Sequence, residues 1–294
     1  GGLPTEVTPD LDTVGEWDVG GRLRGAMTAH PRFDPRTGEL VCFGYSVFEP
    51  KIHYFVIDAT GELVHSVELD LPAPVMMHDC VITEEHTVFL DSPIVFNVAN
   101  LGKGPMVSWR PENGTRLGVI PRRGGPDDIR WFEIEPGHVQ HFWSGWADGD
   151  RIELCGSRFD APDFGIDSEP PLDQSVADPT PGRPARFWID LAEGRAGWEP
   201  IDDLGGDFNR INDTRNGERV RWLYLSAFVQ ADRRIAAITA SFRHALASVD
   251  HHVDPDEDLT WVIGPPIRDN LHRVGLPEHL HDEVITTYRS RQLE

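Results

Sequence analysis

Lysine is nearly missing from this sequence. Of 27 basic residues only Lys51 and Lys103 are lysine, and 49 acidic residues bring the formal charge of the 294-residue chain to −22. That balance argues against nucleic acid, whose affinity rests on Lys and Arg contacts to phosphate. It argues equally against electrostatic docking to anionic lipid. Cysteine is scarce as well. Cys42, Cys80 and Cys155 are scattered, odd in number and form no CxxC, so neither a disulfide framework nor a zinc–thiolate site is expected. A reducing, cytoplasmic compartment fits. No apolar run approaches the ~18 residues of a membrane-spanning helix. No signal peptide is read, and the start at Gly1-Gly2 without Met fits a fragment or a processed chain. The Arg-rich, Lys-poor, Pro- and Gly-rich usage reads as GC-rich genomic bias, with a salt-adapted source as the second reading.

What is present is enough apolar material for a core, at 39% of residues, with nine Trp and fourteen Phe. After a polar lead-in over 1–24, the rhythm is β. Ala26–Ala29, Leu40–Val47, Ile52–Asp58 and Glu62–Leu69 read as four short strands joined by tight turns such as Ala59-Thr60-Gly61. A second set runs through Val75–Thr83, His86–Asp91 and Ile94–Val98. A third runs through Ile129–Ile134, Val139–Phe142 and Arg151–Ser157. Four-stranded meanders repeating at roughly 45-residue spacing are the rhythm of β-propeller blades, with a long-looped sandwich as the other all-β reading. Residues 159–184, rich in Asp, Pro, Ser and Gly, read as a long loop. Strands resume at Arg186–Asp190 and Arg219–Phe228. From 231 the pattern turns helical, over Arg233–Val249 and Asp282–Leu293. The expectation is one partial all-β propeller domain over 1–294, with family-like blades over 25–230 and a divergent helical tail over 231–294.

Thirteen histidines are present. A lone His in a strand is more often a core or surface residue than a ligand. His30, His78 and His141 stand near the starts of successive proposed blades, where innermost strands converge on a propeller axis, and imidazole suits Fe, Zn, Cu and Ni. On spacing alone the ordinary reading would still prevail. His138, three residues before His141, is expected on the opposite face of its strand.

The flanking residues change that balance. Gly25–Leu40 around His30 resembles the first iron-binding segment of the carotenoid cleavage oxygenases, the family of the carotenoid, apocarotenoid and lignostilbene dioxygenases. Met77-His78-Asp79-Cys80-Val81-Ile82-Thr83, followed by Val88-Phe89-Leu90-Asp91-Ser92-Pro93, is similar to the second. Pro121-Arg122-Arg123, Trp131-Phe132-Glu133 and His141-Phe142-Trp143-Ser144-Gly145-Trp146 are similar to the third. Gly206-Asp207-Phe208-Asn209-Arg210-Ile211-Asn212 resembles a further element in which the family carries Glu where Asp207 stands. Four elements in order over about 25–225 make a specific resemblance. It implies a seven-bladed propeller, incomplete here, with Fe(II) held by four His on its axis. Outer carboxylates, Asp207 among them, would accept the imidazole N–H groups. A faint echo of the family's last ligand element, Arg273–His281, gives His281 as the fourth ligand.

The implied function is an Fe(II)-dependent dioxygenase. It would cleave a conjugated C=C bond of a carotenoid, apocarotenoid or stilbenoid with O₂ to two carbonyl products. The alternative is a non-catalytic truncated propeller fragment or pseudoenzyme. A hydrolytic Ca²⁺ propeller is a third reading and would present carboxylates, not histidines, at the axis.

Overall fold

The computed structural model describes residues 2–23, 25–101, 103, 106–161, 182–227, 241–254, 259 and 267–291. The chain divides into two compact units, Gly1–Ala227 and Phe228–Glu294.

The first unit is built from antiparallel sheets. After a hairpin of β1 (Thr5–Val7) and β2 (Thr13–Glu16), the first four-stranded meander comprises β3 (Arg32–Phe33), β4 (Leu40–Tyr45), β5 (Lys51–Ile57) and β6 (Leu63–Asp70). The second contains β7 (Cys80–Ile82), β8 (His86–Asp91), β11 (Thr115–Pro121) and β12 (Arg130–Ile134), paired in that order. A hairpin of β9 (Ile94–Phe96) and β10 (Val107–Trp109) lies between β8 and β11 in the chain. The third contains β13 (His138–Asp148), β14 (Arg151–Phe159), β15 (Arg183–Asp190) and β16 (Arg195–Pro200). Strands β17 (Gly206–Arg210) and β18 (Tyr224–Ala227) begin a fourth sheet. Each meander has the form of a propeller blade; among the described residues no sheet closes on itself.

The apolar runs read as they do because the middle sheet is buried on both faces. Cys80, Ile82 and Phe89 pack with Val41, Phe43, Ile52 and Tyr54 of the first sheet. The alternate positions Val81, Val88 and Leu90 pack with Val139, Phe142, Ile152 and Leu154 of the third. Period-2 alternation thus distributes one strand between two neighbouring cores. Two glycines permit the close approaches this requires. A Cβ on Gly44 would lie 1.8 Å from the Ala26 carbonyl oxygen, and one on Gly145 would lie 2.2 Å from Val81 Cγ1.

Several strand boundaries differ from expectation. Ala26–Ala29 is not a strand. Thr28 N–H reaches the Phe43 carbonyl, but Pro31 has no N–H to donate, so ladder pairing begins only at Arg32. Within Val75–Thr83 only Cys80–Ile82 pairs, apart from an isolated bridge between Val75 and Val95. Strand β12 closes the second meander against β11 rather than opening the third. Strands β1, β2, β3, β10, β11, β16 and β17 were not expected. Of the long loop, 162–181 lies outside the described residues, as does 233–240 of the expected helix over Arg233–Val249.

The C-terminal unit, Phe228–Glu294, which takes in the tail read from sequence over 231–294, has a core of its own. It contains Phe242, Leu246, Leu259, Leu271, Leu276 and Val284. Helical turns at 241–247, Ile267–Arg273 and His281–Arg291 supply most of it. Among the described residues no helix is long and apolar enough to cross a membrane.

Candidate metal centre

His30 sits two residues before β3 and His78 two residues before β7, while His141 lies on β13 itself. These are the first strands of three successive meanders, so three sheets deliver one imidazole each to a common point. One nitrogen from each ring falls within a set whose members lie no more than 4.8 Å apart. The ring centroids are 4.6, 4.7 and 5.0 Å apart. His30 Nε2 and His78 Nε2 face each other at 2.9 Å. Two imidazole nitrogens bound at about 2.1 Å to one cation and at right angles would sit about 3 Å apart, so this pair has the separation of neighbouring ligands.

The protonation of the cluster suits a cation. Burial, reinforced by the neighbouring imidazoles His30 and His141, holds His78 at about 4. Burial lowers His30 as well, against the opposing field of Asp79. Both rings are therefore neutral near pH 7, with a lone pair to offer. His141 is buried, and its Nδ1 is 2.9 Å from Asp207 Oδ2. A hydrogen bond there places the proton on Nδ1 and leaves Nε2 as the free donor atom. The donor set is thus three imidazoles with a carboxylate behind one of them, a chemistry that fits Fe(II) among the divalent transition metals.

Asp207 is not a surface acid; it is 4% exposed on β17. Its reach comes from a bulge. The β17–β18 register shifts between Asp207 and Arg210, and Phe208 adopts φ +55, a left-handed conformation uncommon for a bulky side chain. The Phe208 ring lies 4.8 Å from that of His141. A cavity of about 470 Å³ opens beside the cluster, lined by His30, Arg32, His141, Phe142, Trp143 and Phe208 among others.

Two of the remaining histidines are placed elsewhere. His281 belongs to the C-terminal unit. It is fully buried, its Nε2 is 2.9 Å from the Leu276 carbonyl oxygen, and its ring contacts His272. The structure gathers His30, His78 and His141 into one cluster and does not include His281 in it. His138, expected on the face opposite His141, is not part of the cluster. Register shifts on either side of Phe142 break the alternation. His138 is buried between Ser92 Oγ and Gln140 Oε1, at 2.9 Å from each.

Arg32 and Asp79 received no role from the sequence, yet both line the cavity and form an ion pair with each other. The only sign in the sequence was their placement, opposite charges within two positions of two candidate ligands.

A family model described as retinal pigment epithelial membrane protein (RPE65) matches residues 1–267. The chain is 33% identical over 218 residues to a carotenoid 9,10(9′,10′)-cleavage dioxygenase of Crocus sativus, covering 73% of this chain and 40% of that protein. It is 35% identical over 201 residues to an isoeugenol monooxygenase of Pseudomonas putida, covering 66% of this chain and 41% of that protein. Among solved structures it is similar to a lignostilbene dioxygenase of Pseudomonas brassicacearum. That match has a TM-score of 0.70 and 27% identity, and covers 78% of this chain and 49% of that one. The chain thus spans less than half the length of each of these relatives.

Proposed function

Because the chain belongs to the carotenoid cleavage oxygenase family, whose solved members are seven-bladed propellers, we propose that it serves oxidative cleavage of a conjugated C=C bond in an apolar small molecule. The substrate class is a carotenoid, apocarotenoid or stilbenoid. The reaction inserts both atoms of O₂, breaking the carbon–carbon double bond and forming one C=O on each fragment, so no further reductant is required. The observation that carries the reading is the convergence of His30, His78 and His141 from three successive first strands.

In this reading the three imidazoles hold Fe(II), which supplies the one-electron chemistry that lets O₂ react with an alkene. His141 is oriented by Asp207, whose carboxylate keeps the proton on Nδ1 and raises the basicity of the opposite nitrogen. Phe142, Trp143 and Phe208 give the adjoining cavity an aromatic lining suited to a conjugated substrate. The resemblance assigns a fourth ligand place to His281. The proposal rests on the three clustered residues, because the His281 Nε2 is already engaged by Leu276. The cysteine usage supports a cytoplasmic setting, and the net charge of −22 supports a protein without nucleic-acid partners.

Anaerobic Fe(II) titration followed by product analysis tests this. About one iron per chain is expected, with paired carbonyl products from a stilbenoid or an apocarotenal in the presence of O₂. Iron bound without turnover would favour the non-catalytic reading. A chain that binds no iron would sink the proposal.

A further inference from the structure

We propose that Arg32 and Asp79 are a positioning pair that sets the spacing of the three histidines. This inference rests on reading His30, His78 and His141 as ligands of one metal. The three residues come from three separate sheets, and among the described residues no backbone ladder joins one of these sheets to the next. Their mutual distances must therefore be fixed by side chains that cross from sheet to sheet.

Arg32 and Asp79 make that crossing, and they make it beside the ligands. Arg32, two residues after His30, donates from Nε to the Cys80 carbonyl at 2.8 Å and from Nη2 to the Phe142 carbonyl at 3.0 Å. The same Nη2 pairs with Asp79 Oδ2. Asp79, immediately after His78, accepts from Phe142 N–H at 2.8 Å and from Cys80 N–H at 2.7 Å. Phe142 immediately follows His141. One guanidinium and one carboxylate thus grip the main chain within two residues of every member of the cluster. A further tie runs the same way, from Thr28 Oγ1 to the His78 carbonyl at 2.8 Å.

Phe142 is available for this because the β13–β14 register shifts on both sides of it. Bulges of this kind re-aim backbone groups out of the ladder, and here both the N–H and the C=O of Phe142 reach the pair. The Asp79 side chain is 2% exposed and that of Arg32 15%. A buried ion pair of this kind adds little net stability against an apolar replacement, and its best-attested use is to fix register. Both Asp79 oxygens accept hydrogen bonds, so the pair is a satisfied network with a single geometry.

The test uses Co(II) as the probe, on the full chain, with affinity from titration and ligand geometry from the visible absorption of bound Co(II). A wild-type chain that binds neither Co(II) nor Fe(II) would overturn the ligand reading itself, and the pair with it. If the wild type binds, the apolar double variant Arg32→Met/Asp79→Leu is compared, with circular dichroism and a cooperative melt confirming its fold. Weakening by about tenfold or more, with a shifted Co(II) spectrum, is the expected result. A folded double variant with wild-type affinity and wild-type spectrum would overturn the pair. Should the double variant not fold, Arg32→Lys decides. It keeps the charge but loses the fork that reaches Cys80 and Phe142 together. A loss of affinity with a shifted spectrum supports the pair, and an unchanged affinity and spectrum refutes it.

Discussion

Among the described residues two places bring imidazole rings within contact of one another, and they differ in what those rings can do. In the N-terminal unit, His30, His78 and His141 arrive from three sheets. Their nitrogens turn toward a shared point, and one proton is placed by Asp207. In the C-terminal unit, His272 and His281 lie 4.6 Å apart, as close as any pair in the first cluster. There the His281 Nε2 is engaged by the Leu276 carbonyl, and its Nδ1 is buried without a hydrogen bond. Proximity of imidazoles is a packing outcome. A ligand set also needs nitrogens that converge and protons held on the far side.

The sharpest way to break this contrast is to delete one ring from each cluster. His78→Ala is expected to lose metal binding by more than the roughly 10–100-fold that loss of an outer partner costs. His281→Ala leaves metal binding unchanged and lowers only the melting of the C-terminal unit. Equal losses of Co(II) affinity in the two variants would erase the distinction.

Acid provides the next largest effect. Burial holds His138 at about 4 against an ordinary value of 6.5. The unfolded chain takes up a proton near pH 6.5, whereas the folded chain resists it until about pH 4. Stability is therefore constant above that window and falls within it as pH drops, by on the order of 3 kcal/mol from this residue. Denaturant midpoints measured from pH 7 to pH 4 should show the fall in wild type and a shallower one in His138→Gln.

Gly44→Ala tests the approach that delivers His30. With the added carbon 1.8 Å from the Ala26 carbonyl oxygen, the lead-in segment must shift, and a loss of about 1–3 kcal/mol is expected by chemical denaturation. Wild-type stability would mean the segment is not held as described. The smallest effect is expected from Asp207→Asn, which keeps the shape and removes the charge behind His141. Metal affinity should weaken by about tenfold with the melt little changed. Undiminished binding would show that His141 needs no carboxylate.

How much of this was legible in the sequence depended on range. The strands with apolar runs, β4, β5 and β8, were readable from local pattern. The three ligand candidates became readable through their flanking motifs. Strand β16 was not, because Arg195–Pro200 is an outer strand with no fully buried residue and little alternation. Strand β3 is two residues long, too short to leave a pattern. The reach of Asp207 depends on a left-handed Phe208, which no sequence rule anticipates for an aromatic residue. The Arg32–Asp79 tie spans 47 positions, and no periodicity connects residues so far apart.

The independence of the three sheets also bears on how the molecule comes apart. Each ladder holds its own strands, while the imidazole cluster exists only as long as three separate ladders stay in contact. Small slips between neighbouring sheets cost a few side-chain contacts, whereas unravelling any one sheet costs its whole hydrogen-bond set. On warming, the expected order of events is therefore that the histidines part company first, in a molecule whose β-structure is still intact.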